Sequence, residues 1–140
     1  KEVSQKYGSQ SVVVSLNVND NLFGHKKLYN PSTQKNTKMP IMEFAQLVES
    51  YGAGEIFLNS VSRDGTKSGY DSELIKLISS AVNIPVTVCG GAGALNDFKV
   101  AVQQCGASAV SAGSLFVYHG KRDAVLVNYP EYKTLQELFK

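Results

Sequence analysis

Four short apolar segments recur along the chain, and longer amphipathic segments separate them. The apolar segments predict β-strands at Val12–Val18, Glu55–Asn59, Pro85–Cys89 and Ala107–Ala112. The first and third are rich in valine and alternate little, which is typical of parallel strands covered on both faces. The polar segment 19–38, which follows the first strand, is predicted to be a long loop.

The amphipathic segments carry apolar residues on one stripe at helical spacing. They predict helices within residues 39–52, 70–82 and 96–106. Asp71 and Asn96 are residue types that cap helix N-termini, and each stands at the start of its segment. Gly52 and Gly106 supply the corresponding stops at the C-terminal ends.

Strands that alternate with helices indicate an α/β fold with a parallel sheet and right-handed crossovers. Both a doubly wound sheet and part of a (β/α)8 TIM barrel satisfy this pattern. A full barrel takes about 250 residues, so four units in 140 residues amount to half of one. As part of a barrel, the chain would be one domain, residues 1–140, forming a (βα)4 half-barrel. Its open edges and uncovered interior predict that it self-associates or is completed by a missing N-terminal half.

Composition and charge narrow the class of partner. The net charge of +2 is small and the basic residues are scattered, which argues against nucleic acid and against a membrane surface. No apolar run approaches the roughly 18 residues of a membrane span. Cys89 and Cys105 stand in apolar surroundings and are expected to be reduced, as in a cytoplasmic protein. His25 and His119 lack partners at metal-ligand spacing, so no metal is expected.

A glycine turn follows the third predicted strand in the stretch "IPVTVCGGAG", which includes Gly90 and Gly91. Gly113 and Ser114 follow the fourth strand in the same way. Glycines at such positions let backbone N–H groups face outward, and a helix N-terminus adds partial positive charge. In barrels, phosphate sites lie on the loops after strands seven and eight. The pattern predicts a phosphate site, with tight-turn geometry alone as the alternative.

The loop after the second strand contains Asp64 and Gly65 in "RDGT". Asp-Gly is a common turn signal, and spacing alone favours a turn over a binding role for these two residues.

Four stretches together resemble the cyclase subunit (HisF) of imidazole glycerol phosphate synthase. They are "GSQSVVVSLNV", "GAGEIFLNSVSRDGTKSGYDSELIKLIS", "IPVTVCGGAG" and "GASAVSAGSLFVYHG". The resemblance covers nearly the whole chain but only strands five to eight of that family's barrel. The sister isomerase of histidine biosynthesis shares the DGT element but usually not this glycine context. The C-terminal "VYHG" and "VLVNYP" resemble the branch of the family associated with amidation of surface-glycan sugars.

The resemblance implies a reaction and a set of roles. The family takes ammonia from a glutaminase (HisH-like) subunit and joins it to a ribulosyl-phosphate intermediate. This closes an imidazole ring and releases an aminoimidazole carboxamide ribotide, without a cofactor. The residues implied to hold a substrate phosphate are Asp64, Gly65, Gly90, Gly91, Gly113 and Ser114.

Three further positions receive roles from the resemblance. Asn59 lies where a substrate-facing threonine often occurs, and Ser32 matches a serine of the loop that folds over the site. Glu55 matches an acidic member of the charged gate where ammonia enters the barrel. A buried structural carboxylate is the alternative interpretation of Glu55.

Asn17 departs from the family pattern. The family works with two aspartates as general acid and base; the first lies outside this chain and the second aligns with Asn17. Asparagine cannot accept a proton near neutral pH, and losing one positioned acid–base group typically costs about 10² to 10⁴ in rate. Asp20 is too far along the strand to substitute and is expected to belong to the loop turn.

Three functions remain after this comparison. The first is a HisF-like subunit that binds a phosphorylated substrate and supplies ammonia to a sugar amidotransferase in surface-glycan (LPS) synthesis. This function accounts for both the C-terminal tail and Asn17. The second is the cyclase, a lyase, of histidine biosynthesis. The third is a non-catalytic phosphate-binding half-barrel that serves as an assembly module.

Overall fold

A computed structural model describes residues 1–21, 24–120 and 122–140. The strands are β1 (Val13–Asp20), β2 (Lys26–Asn30), β3 (Lys35–Asn36), β4 (Glu55–Ser60), β5 (Val86–Cys89), β6 (Ala109–Val110), β7 (Tyr118–His119) and β8 (Ala124–Val125). The helices are α1 (Glu2–Tyr7), α2 (Ile41–Ser50), α3 (Ser72–Ser79), α4 (Leu95–Lys99), α5 (Ser114–Val117) and α6 (Tyr132–Leu138). A 3₁₀ turn, Ser9–Ser11, precedes β1, and α4 continues into a π-helical turn, Val100–Gln104.

Six strands form one sheet in the order β3-β2-β1-β4-β5-β6. The strands β1, β4, β5 and β6 are mutually parallel, and each later one joins the sheet on the same side as the one before. In a doubly wound sheet the parallel strands reverse their direction of growth at a switch point, and the four parallel strands here do not, since only the antiparallel β2 and β3 lie on the other side of β1. The fold is therefore α/β with a mostly parallel, singly wound sheet, consistent with part of a TIM barrel.

Within the described residues, the buried helix side chains pack against one face of the sheet. Leu16, Leu58 and Val88 are register partners on that face and are almost completely buried. They pack with apolar residues of the helices, among them Ala45 from α2 and Leu74 from α3. The contact between this face of the sheet and the helices forms the hydrophobic core.

The opposite face of the sheet is open. Ser15, Phe57 and Thr87 are register partners on it and none of them is buried, while Val13 is 55% exposed. The expectation that the valine-rich strands are covered on both faces is therefore wrong for this chain. Valine is abundant at positions 12–14 although β1 buries only alternate residues.

The polar segment after β1 is not a long loop. It contains β2 and β3, which form an antiparallel hairpin along the C-terminal end of β1, with Leu28 opposite Val18. Leu28 is the buried side chain that anchors the hairpin to the core. Polar residues dominate the rest of the segment because the hairpin lies at the edge of the sheet. Residues 22 and 23 lie outside the described part.

The helix caps follow the sequence in one case and not in the other. Asp71 caps α3 as predicted, and its carboxylate accepts a hydrogen bond from the backbone N–H of Leu74 at 3.0 Å. The prediction that Asn96 is an N-cap is wrong, because α4 begins earlier, at Leu95. The Asp97 carboxylate instead accepts the N–H groups at positions 93 and 94, at 2.8 and 2.9 Å.

Two general features of the described ranges bear on function. No helix within them has both the length and the apolar character needed to cross a bilayer. Among the same residues, no three His, Cys, Asp or Glu side chains converge as a metal site requires.

Candidate functional site

A shallow pocket opens at the carboxyl ends of β4, β5 and β6. Its lining includes all six residues proposed from the sequence to hold phosphate: Asp64, Gly65, Gly90, Gly91, Gly113 and Ser114. Cys89, Ala92, Ser111 and Ala112 complete the wall. The parallel strands bring these three separate loops together, because the carboxyl ends of parallel strands meet at one edge of the sheet.

The glycine turn makes close contact with the neighbouring loop. Gly90 and Gly91 have φ values of 90° and 105°, which side chains rarely adopt. The N–H of Gly69 donates a hydrogen bond to the carbonyl oxygen of Gly91 at 2.7 Å. A Cβ at position 91 would collide with the carbonyl oxygen of Gly69. Position 91 therefore requires glycine for two reasons, its positive φ and its close contact with the backbone of Gly69.

Backbone donors line the pocket. In the part of the chain that the structure describes, the N–H groups of Gly65, Gly91, Gly113 and Ser114 have no protein acceptor. Free N–H groups on neighbouring loops around one pocket are typical of a site for an anion with several oxygens. The Ser114 hydroxyl stands at the same wall and adds a further donor.

The loop after β4 holds Asp64 at the rim of the pocket. The N–H groups of Arg63 and Asp64 both donate to the carbonyl oxygen of Ser60, at 3.2 and 3.0 Å. Gly65 follows with φ of 78°, as the Asp-Gly turn signal predicts. The turn and the site are thus compatible, because the turn is what carries Asp64 and Gly65 to the pocket.

Neutral amides occupy the open face beside the pocket. Asn17, Asn59 and Cys89 are register partners at the same level of β1, β4 and β5. The Asn59 amide donates to the side-chain oxygen of Asn17 at 3.3 Å, and the Asn17 amide donates to Ser15 Oγ at 3.2 Å. The side-chain oxygen of Asn59 is buried and has no partner within the described ranges.

Asp20 is engaged elsewhere. Its carboxylate accepts a hydrogen bond from Ser62 Oγ at 2.8 Å and lies 3.5 Å from the ammonium of Lys26. It belongs to the junction between the β2–β3 hairpin and the loop after β4, rather than to the turn of a loop as expected. No carboxylate from β1 therefore stands at the level of Asn17.

Lys26 links that hairpin to the start of α3. Its ammonium forms an ion pair with Asp71, whose side chain is only 6% exposed, and Arg63 Nε lies 3.9 Å from the same carboxylate. Burial lowers the pKa of Lys26, but the hydrogen bond and charge of Asp71, together with Asp20, outweigh it and raise the pKa. The sequence did not predict this role for Lys26, because nothing distinguishes it from the other lysines of the polar segment 19–38.

Tyr70 is buried behind the loop after β4 and is hydrogen-bonded to Ser111, a residue of the pocket lining. Its hydroxyl donates a hydrogen bond to the carbonyl oxygen of Ser111 at 2.8 Å, which ties the loop after β4 to the strand end after β6. Burial raises the pKa of the Tyr70 phenol well above its ordinary range. Electrostatic repulsion between the phenolate and the negatively charged forms of Cys89 and Asp97 raises this pKa further.

The remaining predicted residues lie away from the pocket lining. Ser32 is exposed in the turn between β2 and β3, where its N–H donates to Asn30 Oδ1 at 2.9 Å. Glu55 is the first residue of β4, at the opposite end of the sheet from the pocket. Its carboxylate accepts a hydrogen bond from Thr87 Oγ1 at 2.6 Å.

A singly wound parallel sheet with a glycine-rich pocket at its carboxyl edge is consistent with a protein of the TIM-barrel type. Comparison with known proteins narrows this class. The family model described as "Histidine biosynthesis protein" matches residues 1–123, and the chain belongs to this family.

Individual relatives point the same way. The chain is 47% identical over 114 residues to imidazole glycerol phosphate synthase subunit HisF of Hyphomonas neptunium, covering 79% of this chain and 44% of that protein. It is 45% identical over 115 residues to the same subunit of Hydrogenobaculum sp., covering 82% and 46%. It is 42% identical over 135 residues to a Pseudomonas aeruginosa protein provisionally named imidazole glycerol phosphate synthase subunit hisF2, covering 96% and 54%. The chain spans about half the length of the relatives it matches.

Proposed function

We propose that this chain is the phosphate-binding C-terminal half of a HisF-type cyclase subunit, strands five to eight of a TIM barrel. The observation that carries the proposal is the pocket at the ends of β4, β5 and β6, lined by all six residues assigned to phosphate. The similarity to HisF subunits, at 45% and 47% identity, supports the histidine-pathway cyclase as the leading function.

Each group in the pocket suits one part of a phosphorylated substrate. The free N–H groups of Gly65, Gly91 and Gly113, with the Ser114 hydroxyl, would donate to phosphate oxygens. Asp64 is the exception among the six residues assigned to phosphate, because its carboxylate would repel a phosphate and would instead accept a hydrogen bond from a hydroxyl of the sugar that carries it.

The reaction requires a proton acceptor that this chain lacks at the matching place. The cyclase joins ammonia to a ribulosyl-phosphate intermediate, and the family's second acid–base aspartate aligns with Asn17. The amide of Asn17 is held by Asn59 and Ser15 and takes no part in proton transfer near neutral pH. The aspartate of the first strand would then carry the acid–base chemistry alone, in the other half of the barrel.

Ammonia would reach the site from the opposite end of the sheet. Glu55 stands there, hydrogen-bonded to Thr87, on the face that lines the interior of a closed barrel. A glutaminase (HisH-like) subunit docked at that end would release ammonia beside Glu55. The proposal places both subunits in the cytoplasm.

The neutral pair of Asn17 and Asn59 favours one second candidate. In it, the chain passes glutamine-derived ammonia to a sugar amidotransferase of surface-glycan synthesis and keeps the phosphate pocket without the cyclase chemistry. The C-terminal "VLVNYP" segment supports this candidate by resemblance.

A titration with inorganic phosphate tests the binding claim. We expect the amide resonances of Gly65, Gly91 and Gly113 to shift on adding phosphate to ¹⁵N-labelled protein, and Ser114→Ala to weaken binding by about fivefold, the worth of one hydrogen bond. The control variant Ser50→Ala removes a hydroxyl at the end of α2 and should leave the affinity unchanged. Shifts no larger than those caused by chloride at equal ionic strength would overturn the proposal.

A further inference from the structure

The side chain of Lys67 holds the C-terminal hairpin against the loop that carries Asp64. Its ammonium forms an ion pair with Asp123 at 2.6 Å and donates a hydrogen bond to the carbonyl oxygen of Tyr118 at 3.1 Å. The same ammonium lies 5.7 Å from the centre of the Tyr118 ring. Ion pair, hydrogen bond and cation–π contact thus all join Lys67 to the β7–β8 hairpin.

The main chain of Lys67 touches the glycine turn after β5. A Cβ at Gly93 would collide with the carbonyl oxygen of Lys67, so the two backbones are in direct contact. Tyr118, on the other side of the lysine, follows directly on the helix that begins at Ser114. Lys67 therefore contacts or adjoins all three chain segments that line the pocket, although it is not itself in the lining.

The backbone at both ends of the ion pair is strained. Lys67 and Asp123 have φ values of 56° and 48°, and among the described non-glycine residues only Gln34 is also left-handed. Non-glycine residues adopt this conformation where surrounding contacts hold them in it. The Lys67 side chain is 27% exposed, whereas that of Asp123 is 67% exposed. The lysine is therefore the better anchored partner.

We propose that Lys67 is a positioning residue of the phosphate pocket, which fixes the loop after β4, the glycine turn and the C-terminal hairpin relative to one another. This inference rests on the proposed phosphate binding. It makes the β7–β8 hairpin a structural support of the site, through Asp123 and Tyr118, without any contact between Lys67 and the ligand.

The test compares four variants of the 140-residue chain by ¹H–¹⁵N spectra and by inorganic phosphate titration. Lys67→Met should shift the Gly65, Gly91 and Gly113 amide resonances before phosphate is added and should weaken phosphate binding about tenfold. Lys67→Arg keeps the charge and donors and should restore most of the affinity. Asp123→Asn should have a smaller effect, because water reaches its carboxylate.

A charge-matched control separates positioning from long-range attraction. Lys76→Met removes the same charge from an exposed site on α3 and should change the phosphate affinity by less than about twofold. A loss in Lys76→Met equal to that in Lys67→Met would overturn the positioning role.

Spectra recorded without phosphate test the positioning role of Lys67 separately from phosphate binding. If the native chain binds no phosphate, the proposed function fails. Shifts at all three glycines in Lys67→Met would still support the positioning role, and shifts confined to the neighbours of Lys67 would overturn it. If Lys67→Met does not fold, Asp123→Asn decides: shifts that reach Gly65 and Gly113 support the role, and shifts confined to residues 118–125 overturn it.

Discussion

Asn59 donates a hydrogen bond from its side-chain amide to the side-chain oxygen of Asn17, across 3.3 Å between neighbouring parallel strands. An aspartate at position 17 would offer an oxygen in the same place and accept the same hydrogen bond. The geometry therefore accommodates a carboxylate at this position without rearrangement, and under the proposed function only the residue type at position 17 would separate this chain from the acid–base pattern of the family.

We expect Asn17→Asp, in the complete barrel, to raise turnover of the ribulosyl-phosphate intermediate with ammonium by about 10² to 10⁴. Disappearance of the intermediate measures this. The control Asn19→Asp adds the same charge further along β1 and should give no gain. Native turnover within about tenfold of the Asn17→Asp variant would mean that Asn17 is no handicap. No native turnover with a clear gain would favour the ammonia-delivery candidate.

Gly91→Ala should destabilise the fold strongly. The new Cβ would collide with the carbonyl oxygen of Gly69 at a φ of 105°, and we expect the free energy of unfolding to fall by about 3 kcal/mol. Gly120→Ala is the matched control: its φ is 71° but nothing lies within 4 Å of the added Cβ. It should cost about 1 kcal/mol. Equal losses in urea unfolding would contradict the close approach of the two loops.

Lys26→Met should leave the Asp71 carboxylate without its nearest cation. Because this carboxylate is buried, we expect a loss of about 2–3 kcal/mol in the free energy of unfolding. Lys27→Met, at an exposed site one residue on, should change it by less than about 0.5 kcal/mol. Adding Asp71→Asn to Lys26→Met removes the buried charge, for which the more distant Arg63 compensates only in part, and should recover part of the loss. Similar effects of the two lysine variants would rule out a structural role for the ion pair.

Stability should fall at alkaline pH. The folded pKa values of Lys26 and Tyr70 both lie above their ordinary values of 10.5 and 10.0, so the folded state holds both protons more tightly than the unfolded state. The resulting stabilisation is complete below the ordinary values and is lost as pH rises through the folded ones. Urea midpoints across this range should show a shallower decline in Tyr70→Phe than in the native chain. Tyr132→Phe, at an exposed site, should decline as the native chain does.

The open face of the sheet should drive self-association when the other half of the barrel is absent. Phe57 lies on this face between Ser15 and Thr87. We expect the chain to dimerise at micromolar concentration and Phe57→Glu to shift it toward monomer, as measured by sedimentation velocity. Met42→Glu, on the outer surface of α2, should leave the association unchanged. A monodisperse native monomer would count against the half-barrel.

The sequence correctly predicted features that depend on neighbouring residues, such as helix ends. Asp71 caps α3, and Gly52, with φ of 89°, follows the C-terminal end of α2, both as their residue types indicate. The glycine turn after β5 pointed to the pocket at the strand ends. Asp64 and Gly65 were assigned to it only through the resemblance to HisF, because their spacing alone favoured a plain turn.

Contacts between distant segments could not be predicted. Lys26 and Asp71 are 45 residues apart in the chain, and Lys67 and Asp123 are 56 apart. Neither lysine differs in residue type or local pattern from the exposed ones. The exposure of one sheet face was also hidden, because the valine-rich β1 has the composition of a strand buried on both sides.

The pocket is supplied by one contiguous stretch, from Asp64 to Ser114, whereas Asn17 belongs to an earlier strand. Under the proposed function, phosphate recognition and proton transfer would therefore depend on separate parts of the chain. A substitution of one residue on β1 would then change the reaction while the pocket at the ends of β4, β5 and β6 stays unchanged. Proteins derived from such a barrel would still bind the same phosphorylated group after the reactions they catalyse have diverged.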